Sequence, residues 1–112
     1  MLSKFGTANL SIIRDTIQEV WDNDSEITNV ITIDAPFDMF KINVLLYGEV
    51  EALLEYEKSI IAIKVKIGDE FISIRKLTEK EVVKGFDSSE RAGLLHNFRV
   101  LDEVACGLLG SG

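Results

Sequence analysis

The sequence predicts an α+β domain in which a five-stranded, mostly antiparallel meander sheet is covered on one face by N-terminal and C-terminal helices (α-β5-α-α). Three observations predict it. Residues 40–77 divide into four segments of alternating apolar and polar residues, with turn residues between them. A β-branched segment, ITNVITI, precedes them at 27–33. Segments with helical apolar spacing lie at both ends of the chain, at 7–22 and 88–108.

The N-terminal segment, residues 7–22, has the spacing of an amphipathic helix, and Thr7 is its expected N-cap. The first strand follows at 27–33. Residues 34–38 are the expected connection into the meander, because they combine Pro36 with two aspartates and all three are turn formers. The apolar side of the predicted helix consists of Leu10, Ile13, Ile17, Val20 and Trp21.

Three turns set the predicted register of the meander. The two-residue signal Gly68-Asp69 closes the last hairpin, and further tight turns are expected at 57–58 and 48–50. Segment 49–58 consists of good helix formers, so a helix there is the alternative, but its alternation matches both neighbours and favours a strand. The predicted pairs include Val44 with Leu54, Leu54 with Ile61, and Val65 with Ile72.

This register predicts one apolar face and one mostly charged face. The charged face nevertheless carries a row formed by Leu45, Leu53 and Ala62, with Ile60 and Phe71 elsewhere on it. Single exposed apolar residues are normal, whereas a contiguous row is typical of a partner surface. We therefore predict that these five residues bind a protein partner, and we expect a homodimer through this face or its edge. The apolar face consists of Ile42, Val44, Leu46, Ala52, Leu54, Tyr56, Ile61, Ile63, Val65, Ile72 and Ile74.

Two helical segments are expected after the meander. Thr78 and Glu81 match a capping box and Gly85 matches a helix stop, which predicts a short helix between them. The last helix, at 88–108, has one apolar seam. Residues 1–109 are predicted to form a single domain and 110–112 a flexible tail. The seam consists of Leu94, Phe98, Leu101, Ala105 and Leu108.

Composition limits the class of protein. The chain has 112 residues, of which 46% are hydrophobic and 28% charged, as in a globular domain with an ordinary core. Its formal net charge of −7 opposes binding to nucleic acid or anionic membrane and leaves a basic protein as the complementary partner. A single cysteine excludes an intrachain disulfide. With no apolar leader and no run of membrane-spanning length, a cytoplasmic location is expected.

The residues that most often carry chemistry form no recognisable site. His96 and Cys106 are roughly 15 Å apart along one predicted helix, so they cannot pair within a chain. The segment 22–26 resembles the start of a calcium loop, but Ile27 and Ile33 stand where glycine and glutamate are needed. We therefore predict no catalytic residue, no metal and no cofactor.

Asp102 is the carboxylate most open to a functional interpretation. It lies at the edge of the apolar arc of the last predicted helix, and Arg99 is within ion-pairing reach. We predict a boundary carboxylate paired with Arg99. The alternative is a pocket acid between the helix and the sheet.

The expected function is a small acidic non-catalytic protein-interaction module of the adaptor, chaperone-like, immunity or anti-regulator type. The helix–sheet–helix order loosely resembles that of small acidic secretion chaperones, although their strands are interrupted by a helix. The alternative is a small-molecule binding or sensing domain with a pocket between sheet and helices, lined by Trp21, Tyr56 and Phe98. An enzyme using carboxylates alone, such as Asp34, Asp38 or Asp102, is the weakest option, since no defined pair can be placed.

Overall fold

The computed structural model describes residues 4–33, 39–58 and 60–110 of the chain, so the predicted connection at 34–38 lies outside the described residues. Two long helices flank five strands in sequence order. The elements are α1 (Lys4–Trp21), β1 (Ser25–Ile33), β2 (Met39–Leu46), β3 (Val50–Glu57), β4 (Ile60–Ile67), β5 (Glu70–Ser73) and α2 (Arg91–Gly110), with 3₁₀ helices at Asp22–Asp24, Ile74–Lys76 and Gly85–Ser89.

The strands form one antiparallel sheet in the order β1-β2-β3-β4-β5, which confirms the predicted fold class. Burial alternates along β2, β3 and β4, as expected for a sheet with one covered face. The helical alternative for 49–58 is therefore wrong. Helices α1 and α2 pack on each other over the inner face, where the rings of Trp21 and Phe98 lie 5.4 Å apart.

The register of two hairpins differs from the prediction by two residues. Val44 pairs with Ala52, and Leu54 pairs with Ile63. In the first, the β2–β3 turn is built on Tyr47 and Gly48, both with positive φ (55° and 70°), and not on 48–50. In the second, Glu57 belongs to β3 and pairs with Ile60, so the β3–β4 turn begins at Lys58 (φ 52°) and not at 57. Because side chains alternate with a period of two, a shift of two leaves every residue on its predicted face. The last hairpin is confirmed, with Val65 opposite Ile72.

The short helix predicted at 78–85 is absent, because side chains of α2 bind this segment in another conformation. Asn97 is fully buried; its Oδ1 accepts a hydrogen bond from Val83 N at 2.8 Å, and its Nδ2 donates to Val83 O at 3.2 Å. His96 Nε2 lies 2.7 Å from the carbonyl oxygen of Glu81. Tertiary bonds thus satisfy the backbone groups that helix formation would otherwise satisfy. The hydroxyl of Thr78 accepts only a local bond from Lys80 N.

The helix ends also differ from the sequence prediction. Helix α1 begins at Lys4, so Thr7 lies inside it and is not its N-cap. Helix α2 runs through Gly110, so the predicted tail begins inside the helix, and residues 111 and 112 lie outside the described residues. The buried residues of α2 include the predicted seam from Leu94 to Ala105.

Candidate functional site

The five residues predicted to bind a partner all lie on the outer face of the sheet, but three of them do not form the predicted row. Leu53 pairs with Asn43 and Lys64, whereas Ala62 pairs with Glu55. The two-residue shift in register separates the residues that the sequence placed side by side. Ala62 is exposed, Leu45 and Leu53 are half-buried, and Ile60 and Phe71 are 44% and 36% exposed.

Exposed apolar side chains gather instead at the end of the outer face near the β3–β4 turn. Ile33 pairs with Met39, Met39 with Glu57, and Glu57 with Ile60, so one row crosses four strands. Beside this row is a hollow of about 270 Å³, which we call the outer hollow. Its lining residues are Ile33, Met39, Phe40, Lys41, Glu55, Tyr56, Glu57, Lys58, Ile60 and Ala62. The correct turn assignment at Tyr47-Gly48 is the sequence signal that would have placed part of this row.

A cluster of three charged side chains includes two that line the outer hollow, Lys41 and Glu55, and a third, Lys64, that contacts Glu55. Lys64 Nζ lies 2.8 Å from Glu55 Oε1, and Lys41 Nζ lies 3.5 Å from Glu55 Oε2. These contacts, and that to Lys64 first, hold the pKa of Glu55 below its usual value against the opposing effect of burial. Glu55 Oε1 is shielded from solvent and makes no regular hydrogen bond, so it depends on the electrostatic contact with Lys64.

The two edge strands of the sheet differ in length and in how far other residues cover them. Strand β1 is nine residues long, no described strand pairs with its outer side, and its segment 27–33 contains neither a charge nor a proline. Ile31 and Ile33 on this strand are 47% and 42% exposed. At the opposite edge β5 is only four residues long and pairs with the second half of β4. The first half of β4 is covered by the 3₁₀ helix Gly85–Ser89, where Ile61 N donates to the buried Ser88 Oγ at 2.8 Å. Natural sheets usually protect a long edge with charges, proline or a covering loop. Within residues 4–33, 39–58 and 60–110, only the second edge has a covering segment.

A second polar cluster joins both helices to the β2–β3 turn. Asp102 Oδ1 accepts hydrogen bonds from Trp21 Nε1 at 2.8 Å and from the Tyr47 hydroxyl. Cys106 Sγ lies 3.9 Å from both of these oxygens. Asp102 makes no ion pair with Arg99 among the described residues, so that prediction is wrong. Asp102 does lie between the helices and the β2–β3 turn, as the pocket-acid alternative requires, but its Oδ1 is already bound by these two donors.

The environment of Tyr47 determines what this cluster can do chemically. The hydrogen bond to Asp102 is the largest cause, and burial the second, of a pKa of Tyr47 that is well above its ordinary value of 10.0. Tyr47 therefore stays protonated at neutral pH and serves as a donor, not as a base or nucleophile. Its positive φ of 55° is uncommon for a bulky residue. The hydrogen bonds to Asp102 and from Tyr47 N to Asp24 O help to hold this conformation.

The raised pKa of Tyr47 predicts a specific loss of stability at high pH. Above pH 10 the unfolded chain releases the Tyr47 proton while the folded protein keeps it, so the free energy of unfolding falls as pH rises. Urea unfolding between pH 8 and 11 should show a steeper fall for the wild type than for Tyr47→Phe. Equal slopes for the two proteins would contradict the assignment.

The other residues singled out in the sequence form no site with one another among the described residues. His96 is exposed and bound to the Glu81 carbonyl, and Cys106 is an exposed free thiol. Within the described residues no group of three or more histidine, cysteine, aspartate or glutamate side chains is arranged to hold a metal ion. Trp21, Tyr56 and Phe98 are at most 4% exposed and pack in the core.

Comparison with known proteins gives no relative for this chain. No family model, no curated protein and no solved structure matches it. None of the described helices combines the length and apolar character needed to span a membrane.

Proposed function

We propose that this chain is a non-catalytic protein-interaction module that acts as a homodimer, with β1 of one copy paired to β1 of the other. The observation that carries the proposal is the outer edge of β1, with which no described strand pairs; this strand is long, uncharged over 27–33 and carries the exposed Ile31 and Ile33. Its unpaired N–H and C=O groups form a template for another strand. Antiparallel pairing about a two-fold axis would join two five-stranded sheets into one.

Charge favours a second copy at this edge. Two molecules that each carry a net charge of −7 repel one another over most of their surface. Segment 27–33 is neutral, so two copies can approach there without bringing like charges together. Dimer formation would bury the exposed Ile31 and Ile33, and the removal of their apolar surface from water would stabilise the dimer in addition to the backbone hydrogen bonds.

The non-catalytic part of the proposal rests on the polar clusters. Asp102 is held by two donors, Tyr47 is kept protonated, and Glu55 is held by two lysines. The carboxylates of both clusters, Asp102 and Glu55, thus have structural partners. An adaptor, a chaperone-like protein, or an immunity or anti-regulator protein needs no more than a stable surface of this kind. The acidic charge supports a role without nucleic acid or membrane, and the exposed free thiol of Cys106 supports a reducing compartment such as the cytoplasm.

The dimer is tested by placing a charge on β1. Ile31 pairs with Lys41, so Ile31→Glu should form a favourable cross-strand pair and leave the monomer folded. In the dimer it would bring two glutamates to the joined edge. Light scattering over a range of concentrations should show a dimer for the wild type and a folded monomer for Ile31→Glu.

The matched control is Ile12→Glu, which changes an apolar residue of α1 that is 37% exposed. It should remain dimeric, because Ile12 belongs to α1 and is not part of the β1 edge that is proposed to pair. A wild-type protein that is monomeric at several hundred micromolar would overturn the proposal. So would equal dissociation of both variants.

A further inference from the structure

The outer hollow combines apolar walls with an incompletely neutralised positive charge. Lys41 and Lys64 both contact Glu55, one at each carboxylate oxygen, and no other described carboxylate forms an ion pair with either lysine. Two ammonium groups thus share one carboxylate. Glu57 and Lys58, the other charged lining residues, are opposite in sign. Among the described residues, Lys41, Lys64 and Glu55 together carry a surplus of one positive charge, in a chain whose net charge is −7.

The group that complements this surplus is an anion. An ammonium group has three N–H donors, and Lys41 lies 3.5 Å from its glutamate, longer than a good charge-assisted hydrogen bond. A second carboxylate beside Lys41 would leave Glu55 to Lys64, so that each ammonium would have a carboxylate partner of its own. This local preference differs from the basic partner that the net charge favours, because a bound group experiences the nearest charges most strongly.

The size of the hollow favours a protein side chain over a free small molecule. Its volume of about 270 Å³ is below the range of roughly 300–1,000 Å³ that is typical of small-molecule pockets. The exposed Ile60 and the half-buried Met39 offer apolar contact on its walls. One inserted aliphatic or aromatic side chain would cover them.

We propose that the outer hollow binds a segment of a partner protein in which an apolar side chain stands next to an aspartate or glutamate. The apolar side chain contacts Met39 and Ile60, and the carboxylate accepts a hydrogen bond from Lys41, while Lys64 stays with Glu55. This inference rests on the proposed function, since it names the chemistry of the partner that the interaction module takes. It concerns the outer hollow alone and does not require the β1 dimer.

Selection from a library of random linear peptides displayed on phage tests the inference. The wild type should enrich peptides that carry aspartate or glutamate beside isoleucine, leucine, methionine or phenylalanine. Lys41→Met keeps the length of the side chain and removes its charge, so the selected peptides should bind it about tenfold more weakly, as expected for one charge-assisted hydrogen bond. Lys41→Glu should shift the selection toward lysine and arginine.

Lys66→Met is the matched control. Lys66 lies on the same face and is paired one to one with Glu51 at 3.7 Å, away from the outer hollow. Its replacement should leave peptide affinity unchanged. Ala62→Trp should fill the hollow and abolish binding, because Ala62 is one of its lining residues.

Several results would overturn the inference. These are enrichment of basic peptides by the wild type, no enrichment over Ala62→Trp, equal weakening by Lys41→Met and Lys66→Met, or binding of octanoate as tight as that of the selected peptides. The last result would assign the hollow to a free amphiphile. Because the oligomeric state is measured separately, peptide binding that ignores Lys41 refutes only this inference, whereas a monomeric wild type refutes the homodimer even if peptides bind.

Discussion

Replacing Asp102 by alanine is expected to lower the free energy of unfolding by about 3 kcal/mol, since hydrogen bonds to a charged group contribute roughly 1.5–3 kcal/mol each. Asp102 Oδ1 accepts from Trp21 Nε1 and the Tyr47 hydroxyl. The indole is 3% exposed, so its N–H would lose its partner in a largely dry environment. The substitution would thereby loosen the contact between α1, α2 and the β2–β3 turn. Urea unfolding measures the loss.

Arg99→Ala is the control for this prediction. The sequence placed Arg99 beside Asp102, but the described contacts of Asp102 are to Trp21, Tyr47 and Cys106. Arg99 is exposed, so its removal should change stability by less than about 0.5 kcal/mol. Asp102→Asn keeps an acceptor and should lie between wild type and alanine. Equal losses for Arg99→Ala and Asp102→Ala would restore the ion pair as the main interaction of this carboxylate.

Replacing Gly93 by alanine is expected to lower the free energy of unfolding by about 2 kcal/mol, by analogy with other overpacked sites. At an exposed helix position, replacing glycine by alanine stabilises a protein by about 1 kcal/mol, so the effect expected at Gly93 is opposite in sign. A Cβ at this position would lie 2.1 Å from the carbonyl oxygen of Asp87 and 3.3 Å from Val83 Cγ1. The backbone of 85–89 would have to move away from α2.

Gly107 provides the matched control on the same helix. A Cβ there meets no atom within 4 Å, so Gly107→Ala should raise stability by up to about 1 kcal/mol through helix propensity. Thermal unfolding of both variants shows directly whether each substitution raises or lowers stability. A stabilised Gly93→Ala protein would mean that the 3₁₀ helix at Gly85–Ser89 does not pack against α2 as described.

Local alternation was sufficient to identify the strands of the sheet. In β2, β3 and β4 each residue's face follows from its position in an alternating run, and the inner-face residues are buried as predicted. The last hairpin was predicted in register because Gly68-Asp69 is a strong two-residue turn signal. These features depend on neighbours in sequence, which a single chain reveals.

Register in the other hairpins could not be read from the same pattern. Tyr47 adopts a positive φ that its residue type disfavours, and it is held there by Asp102 and Asp24, which are distant in sequence. A shift of two residues preserves the alternation, so the pattern does not detect the error. The shifts in the β2–β3 and β3–β4 hairpins are why the predicted row of Leu45, Leu53 and Ala62 does not form, and why the alternation did not indicate the outer hollow.

The sequence by itself therefore determined the fold class, the faces of the strands and the apolar sides of the two long helices, because each follows from the periodicity of the side chains. Tertiary structure decided the rest. Asn97 and His96 hold 81–83 in a non-helical conformation despite a capping-box pattern. Trp21 and Tyr47 converge on Asp102 from separate elements. Such contacts override local preference because a buried polar group without a partner costs more free energy than a helix cap or a turn preference contributes.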